Sequence, residues 1–299
     1  MAERESDVVR TMWTLLEEGR AHVDSVWSGD GHTRLHVLEA GRGPPLLLLH
    51  GAGGGAANWF ATIAALSSGH RVIAPDLPGF GLSPRVDFEP PFGAAMADIL
   101  LAWLSRRGIS TLHVAGTSLG GLIALQMAVR APERLQSLVL IDAAGLGREL
   151  PAAVRFATLP GVHGLAGSAG RPGLRLFFQR YLTSSEVPAQ RRDKLLAYIR
   201  ACALAGTGEM LAANIARFAS IRGQREVLRD DELATIAVPV LVLWGDRDRF
   251  IPPSHGARVA ALAGDARFVT IRGVGHSPNW EAPERVAREI LGFTVGLQP

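Results

Sequence analysis

The chain has 299 residues, 47% of them hydrophobic and 20% charged, which is enough to bury a large core and typical of a globular protein. One cysteine, Cys202, excludes an internal disulfide and any multi-cysteine metal site. A net charge of +3, with two tyrosines and no basic run, gives no nucleic-acid footprint, and the single lysine, Lys194, lies far from any glycine-rich loop, which removes Schiff-base, kinase and phosphate-loop chemistry.

Met1 to Arg20 mixes charges with Val8, Val9, Met12, Trp13, Leu15 and Leu16, which predicts an amphipathic helix ended by Gly19. This start lacks the apolar run of a signal peptide, and no stretch reaches the roughly 18 apolar residues of a membrane span. A cytoplasmic protein with no membrane partner is the expectation. An antiparallel pair comes next, His22 to Trp27 and Thr33 to Glu39, around a turn at Ser28-Gly29-Asp30-Gly31. Short apolar strands are then predicted at Leu46 to Leu49, Arg71 to Ala74, Leu112 to Ala115, Ser137 to Ile141, Val240 to Leu243 and Arg267 to Ile271. Helices are predicted near Asn58 to Leu66, Phe92 to Arg107, Leu119 to Arg130, Ser254 to Ala263 and Pro283 to Val295. This alternation is the mark of an α/β fold, a mostly parallel eight-stranded sheet with helices on both faces.

The rhythm stops between Gly147 and Glu232, where helices and loops are expected and Phe156, Phe177, Phe178, Tyr181, Tyr198, Met210 and Phe218 are scattered. That segment holds 13 basic and 8 acidic residues, a net of +5, so it carries the chain's positive excess. Its bland reading is a helical appendage with solvated arginines. Its place between two strands favours a cap, with aromatics and one or more arginines facing a pocket beneath it. The division is then 1–146 and 233–299 as two parts of one core, with 147–232 as the helical cap.

The strongest local signal is Gly116-Thr117-Ser118-Leu119-Gly120-Gly121, which directly follows the strand Leu112 to Ala115 and opens a helix. A nucleophilic serine needs this strand–turn–helix setting to expose its hydroxyl at the tip of a strained turn, and flanking glycines let the backbones approach. The alternative is a glycine-bounded turn whose serine only caps the helix. A serine nucleophile needs a base, and His276 in Gly273-Val274-Gly275-His276-Ser277-Pro278 sits on a glycine-flanked loop after the last strand. His22, His32, His36 and His113 fall in the first hairpin or inside a strand, where structural roles are expected. Two aspartates, Asp246 and Asp248, share the loop after Val240 to Leu243, and Asp142 ends the strand after the serine helix.

With these motifs in this order, the chain resembles the α/β-hydrolase family, serine branch, over nearly its whole length. The resemblance implies a triad in chain order serine, acid, histidine. In the related pattern W-G-x-x-D-x-x-x-P, the acid four residues before proline is Asp248, with Asp246 bracing the turn and Asp142 a distant third. It also implies that His50-Gly51-Ala52-Gly53-Gly54-Gly55 supplies one oxyanion N–H, from Ala52 with Gly53 as alternate, and that Leu119 supplies the other. No cofactor and no metal are expected.

Family resemblance sets chemistry more firmly than substrate. The chain resembles carboxylesterases, and also meta-cleavage-product C–C hydrolases through His50 to Trp59, Asp248-Arg249-Phe250-Ile251-Pro252 and Trp280. Thr117 stands where the C–C group usually has asparagine, and Gly54 where it usually has proline. Ester hydrolysis of a small to medium acyl substrate is therefore the favoured expectation, C–C hydrolysis the second, and a non-catalytic small-molecule-binding relative the third. The expected partner is a small ester or carbonyl substrate; a homo-oligomer is compatible with it.

Overall fold

The computed structural model describes residues 2–19, 22–29, 33–87, 89–159, 176, 178–202 and 218–297. Asp30, Gly31 and His32 of the predicted hairpin, and Phe177 and Met210, lie outside the described residues, as does the side chain of Phe178.

Among the described residues ten strands run in chain order: β1 (Asp24–Gly29), β2 (Arg34–Ala40), β3 (Pro45–Leu49), β4 (Arg71–Pro75), β5 (Leu112–Thr117), β6 (Leu135–Ile141), β7 (Ala219–Ser220), β8 (Gly223–Gln224), β9 (Val240–Gly245) and β10 (Ala266–Ile271). Eight of them form one sheet in the order β1-β2-β4-β3-β5-β6-β9-β10. The pairs β1–β2 and β2–β4 are antiparallel, and every later neighbour is parallel.

Parallel strands covered on both faces must be apolar on both faces, and theirs are. Leu47 and Leu49 of β3, Leu138 and Leu140 of β6, and Val240, Val242 and Trp244 of β9 join one core. Their alternating neighbours Leu46, Leu48, Val139, Ile141, Leu241 and Leu243 join the other. The first core is closed by α3 (Phe92–Arg106), α4 (Leu119–Arg130) and α8 (Pro253–Leu262), through residues such as Met96, Leu100, Ile123, Met127 and Val259. The second is closed by α1 (Ala2–Glu18), α2 (Phe60–Leu66) and α10 (Pro283–Val295), through Met12, Leu15, Ile63, Val286 and Ile290. Each such side chain contributes about 1.5–3 kcal/mol by leaving water. Among the described residues no helix is long and apolar enough to cross a membrane.

Within 147–232 the described elements are α5 (Ala152–Ala157), a π-helical turn at Phe178–Leu182, α6 (Ala189–Cys202), the β7–β8 pair and α7 (Asp230–Ala234). The sequence predicts helices and loops here; the two-residue strands β7 and β8 are a difference, formed where Gly223 takes φ +104° and turns the chain back on itself. This segment is stitched to the core near its C-terminal end. Gln224 accepts the Gly145 N–H through Oε1 at 2.7 Å, and Glu226 accepts the N–H groups of Gly93 and Ala94 at 2.7 and 3.1 Å. That carboxylate caps α3, whose own N-cap, Pro91, has no side-chain donor or acceptor to offer. On the outer side, α1 lies against α6, with Lys194 Nζ 2.7 Å from Glu18.

Candidate active site

Ser118 sits between β5 and α4 with φ 51° and ψ −116°, a left-handed conformation that costs a non-glycine residue about 1–3 kcal/mol. The surrounding backbone holds it there. Its N–H donates to the Ile141 carbonyl at 3.0 Å, and its carbonyl accepts N–H bonds from Gly121 and Ala144, both at 2.9 Å. The flanking glycines are needed for contact: a Cβ on Gly116 would lie 2.2 Å from the Gly120 oxygen, and one on Gly120 would lie 2.2 Å from the Leu49 oxygen of β3. The serine does not cap α4, so the helix-capping alternative is set aside.

Its Oγ instead meets His276 Nε2 at 3.0 Å, and His276 Nδ1 lies 2.8 Å from Asp248 Oδ2. The histidine and aspartate side chains are both almost fully buried. Asp248 Oδ1 accepts the N–H groups of Phe250 and Ile251 at 2.7 and 2.9 Å, which fixes the carboxylate plane. Asp246 does not approach the histidine ring; it accepts the Gly273 N–H at 2.8 Å and so braces the turn ahead of His276. Asp142 is close, buried and unusual, with φ 44°, one oxygen accepting the Gly245 N–H at 2.9 Å, and Oδ2 without a partner among the described residues. Burial, and then the neighbouring Asp248 charge, push the Asp142 carboxyl well above the usual carboxylate range. Of the three aspartates it is Asp248 that meets the imidazole, while the Asp142 oxygens make one backbone bond and none to the ring.

The loop from His50 to Gly55 leaves β3 beside the serine; a Cβ on Gly51 would lie 3.2 Å from Ser118 Cβ. His50 pins this loop: its Nδ1 donates to the Gly51 carbonyl at 2.8 Å while its Nε2 accepts the Leu77 N–H at 2.9 Å. Burial lowers its pKa, which favours this neutral tautomer. Asp76 holds the far end, accepting the Ala56 N–H at 2.5 Å and pairing with His36 Nδ1 at 2.8 Å. Ala52 and Gly53 line the pocket with Ser118 and His276, and Leu119, as first residue of α4, has an N–H with no intrahelical acceptor.

The pocket walls are apolar. Val154, Leu182, Leu195, Ile199 and Phe218, all from 147–232, line it together with Phe250 and Trp280. Of the aromatics expected there, Tyr198 is buried behind Trp280, with centroids 6.4 Å apart, and Phe156 is 59% exposed and faces away. None of the described lining residues is an arginine; the expected pocket-facing cation is absent from them. Arg191 and Lys194 instead meet Glu284 and Glu18 on the outside, and Arg155 bonds the Ile221 carbonyl. Asn58 and Asn279 are lining residues that sequence reasoning did not single out. Asn279 Nδ2 donates to the Asn58 carbonyl at 2.8 Å, and Asn58 Oδ1 has no partner among the described residues. Only a sheet-spanning contact puts these two amides together, so no local motif announces them.

Among the described residues, the one cluster of three side chains able to ligate a metal is Asp142, Asp248 and His276. Both His276 nitrogens and both Asp248 oxygens are already engaged, so this donor set suits proton transfer and not a resident cation.

A family model described as alpha/beta hydrolase fold matches residues 44–283. The chain belongs to that family. A 2-hydroxy-6-oxo-6-phenylhexa-2,4-dienoate hydrolase of Comamonas testosteroni is 30% identical over 273 residues, 87% of this chain and 90% of that one. Among solved structures, a carboxylesterase from Bacillus subtilis superposes with a TM-score of 0.79 at 23% identity, covering 98% of this chain and 99% of its own. A 2-hydroxy-6-oxo-6-phenylhexa-2,4-dienoate hydrolase from Rhodococcus sp. strain RHA1 gives 0.77 at 22% identity, covering 91% and 98%. These two likenesses show the fold. The protein is a hydrolase of the α/β fold whose family includes both chemistries.

The close approach of α4 to β3 yields a prediction. Gly120→Ala should cost about 1–3 kcal/mol in urea unfolding, because its Cβ has no room beside the Leu49 carbonyl. Gly292→Ala, an exposed helical site where an added Cβ meets nothing, should cost nothing and serves as the control.

Proposed function

We propose that this chain is a serine hydrolase that cleaves a carboxylic ester of small to medium acyl size through an acyl-enzyme. The observation that carries the reading is the continuous hydrogen-bonded line Ser118 Oγ–His276–Asp248, at 3.0 and 2.8 Å, opening on an apolar pocket. His276 Nε2 takes the Ser118 proton as Oγ attacks the ester carbonyl. Asp248 holds the imidazole with Nδ1–H directed at its own carboxylate and stabilises the imidazolium that forms. The negative charge on the carbonyl oxygen is met by the N–H groups of Ala52 and Leu119, worth roughly 3 kcal/mol each in such sites. The imidazolium then gives its proton to the leaving alcohol. Water, deprotonated by the same histidine, attacks the acyl carbonyl, and the second tetrahedral collapse restores Ser118 and releases the acid. The same reading has the enzyme working in the cytoplasm on a small molecule, without nucleic acid, membrane, metal or cofactor.

We take 147–232 as the cap of this pocket. The five apolar side chains it contributes support that role, and a roof of this kind excludes water and limits acyl length. A second reading, C–C hydrolysis, draws support from the Comamonas testosteroni relative and from Trp280 in the pocket wall. The neutral lining among the described residues speaks against a dicarboxylate-like substrate, and Thr117 precedes the nucleophile. A non-catalytic role would leave the aligned serine, histidine and aspartate unused.

Ser118→Ala and His276→Ala should each lower kcat by on the order of 10⁴ to 10⁶, and the double variant should be hardly slower than either, because the two act as one unit. Retention of a tenth of wild-type turnover by Ser118→Ala would remove the assignment. A panel of p-nitrophenyl esters of increasing chain length, run beside a vinylogous 1,5-diketone acid, separates the two enzymatic readings. Short and medium esters should turn over fastest; a diketone acid cleaved faster than every ester would make C–C hydrolysis the activity.

A further inference from the structure

One buried carboxyl near the site has no part in the mechanism above. Glu281 ends the short helix α9 (Pro278–Glu281) that follows His276, and it is 6% exposed. Burial pushes its pKa up, and the N–H bonds it accepts pull the other way. Packing alone would be better served by an apolar side chain, so a carboxyl here needs its partners to account for it.

Those partners come from two parts of the chain. Glu281 Oε1 accepts the N–H groups of Gly275 and Ser277, both at 3.1 Å, which are the residues on either side of His276. Oε2 accepts the Gly275 N–H at 3.1 Å and, at 2.7 Å, the N–H of Ser184 from the 147–232 segment. The two backbones touch at the same point, since a Cβ on Gly275 would lie 2.8 Å from both Ser184 N and Thr183 C. Arg191 of α6 reinforces the contact, with Nη1 donating to the Glu281 carbonyl at 3.1 Å. Two residues before Ser184, Leu182 forms part of the pocket wall. A continuous path therefore runs from the wall through Ser184 and Glu281 to both flanks of His276.

We infer that Glu281 is a positioning residue that couples the seating of the cap segment around Ser184 to the placement of His276 against Ser118. With the segment seated, Ser184 completes the donor set of the carboxylate, and that carboxylate holds the histidine loop by its two flanking N–H groups. With the segment displaced, Oε2 loses its shortest bond, and the histidine loop loses the backbone it rests on. The pocket wall and the general base thus assemble together, so a closed pocket and a competent base are one state.

The inference rests on His276 being the base, and its test includes a readout that needs no turnover. Glu281→Gln puts an amide N–H₂ where backbone donors point. It should lower kcat for p-nitrophenyl acetate by about 10- to 100-fold while KM stays within about threefold, the signature of a misplaced catalytic group and not of lost binding. Ser184→Pro removes the cap donor, together with the Ser184 Oγ that accepts the Glu186 N–H, and leaves the carboxyl with Gly275 and Ser277; it should lower kcat in the same way, and Ser184→Ala, which loses the hydroxyl but keeps the N–H, should not. The double variant should be no slower than the slower single, because both break one linkage. In both singles the far-downfield proton resonance of the His276–Asp248 hydrogen bond should shift or broaden. Should Glu281→Gln not fold, Ser184→Pro decides by the same two readouts. Multiplicative losses in the double variant, or a Ser184→Pro protein with wild-type kcat and an unchanged resonance, would overturn the coupling. A wild-type protein that shows the resonance but cleaves no ester would count against the proposed substrate and leave the linkage to be judged on the resonance alone.

Discussion

The site depends on how closely α4 can approach β3 and β5. Ser118 takes its strained φ of 51° because its carbonyl serves Gly121 and Ala144 and its N–H serves Ile141, so α4 and the end of β6 together hold one residue. That arrangement needs Gly116 and Gly120, whose missing side chains leave their backbone neighbours 2.2 Å from where a Cβ would stand. The strain lifts Oγ off the helix, where it would otherwise cap N–H groups, and turns it toward His276. The rest of the molecule supports this geometry. Both cores clamp the sheet, the loop after β9 presents Asp248, and the loop after β10 presents His276.

Three buried carboxyls surround the histidine, and their neighbours give them different work. Asp248 has two backbone donors and the imidazole, which suit a carboxylate. Asp142 has one backbone donor, and burial with Asp248 beside it pushes its carboxyl well above the usual carboxylate range. Glu281 spends its oxygens on backbone N–H groups of the histidine loop and of Ser184 in the 147–232 segment. Sequence position separates them poorly, because the difference lies in which donors reach each group.

The sheet was legible because every strand in it obeys a local rule. Runs such as Leu46 to Leu49 and Val240 to Leu243 are apolar on both faces, and each ends where a glycine or aspartate loop begins. The serine elbow and the histidine loop were legible for the same reason, since glycine spacing is a local property. The choice between Asp246 and Asp248 was not; it needed the family pattern, and the structure shows why, as one aspartate faces the ring and the other the Gly273 N–H. What escaped altogether depends on contacts more than 70 residues apart in sequence. Glu226 capping α3, Asn279 meeting Asn58 and Glu281 reaching Ser184 leave no local trace. The arginines of 147–232 misled for a related reason: composition reports charge but not direction, none of the described ones lines the pocket, and Arg155 and Arg191 bond carbonyls and an acid elsewhere.

The most direct measurement of the central claim is covalent capture of the nucleophile. The protein is incubated with a fluorophosphonate, digested, and mapped by peptide mass spectrometry, with His276→Ala treated in parallel. The account predicts a single adduct on Ser118, formed far more slowly without the histidine that removes its proton. An unlabelled protein, an adduct on another residue, or a labelling rate indifferent to His276 would contradict it.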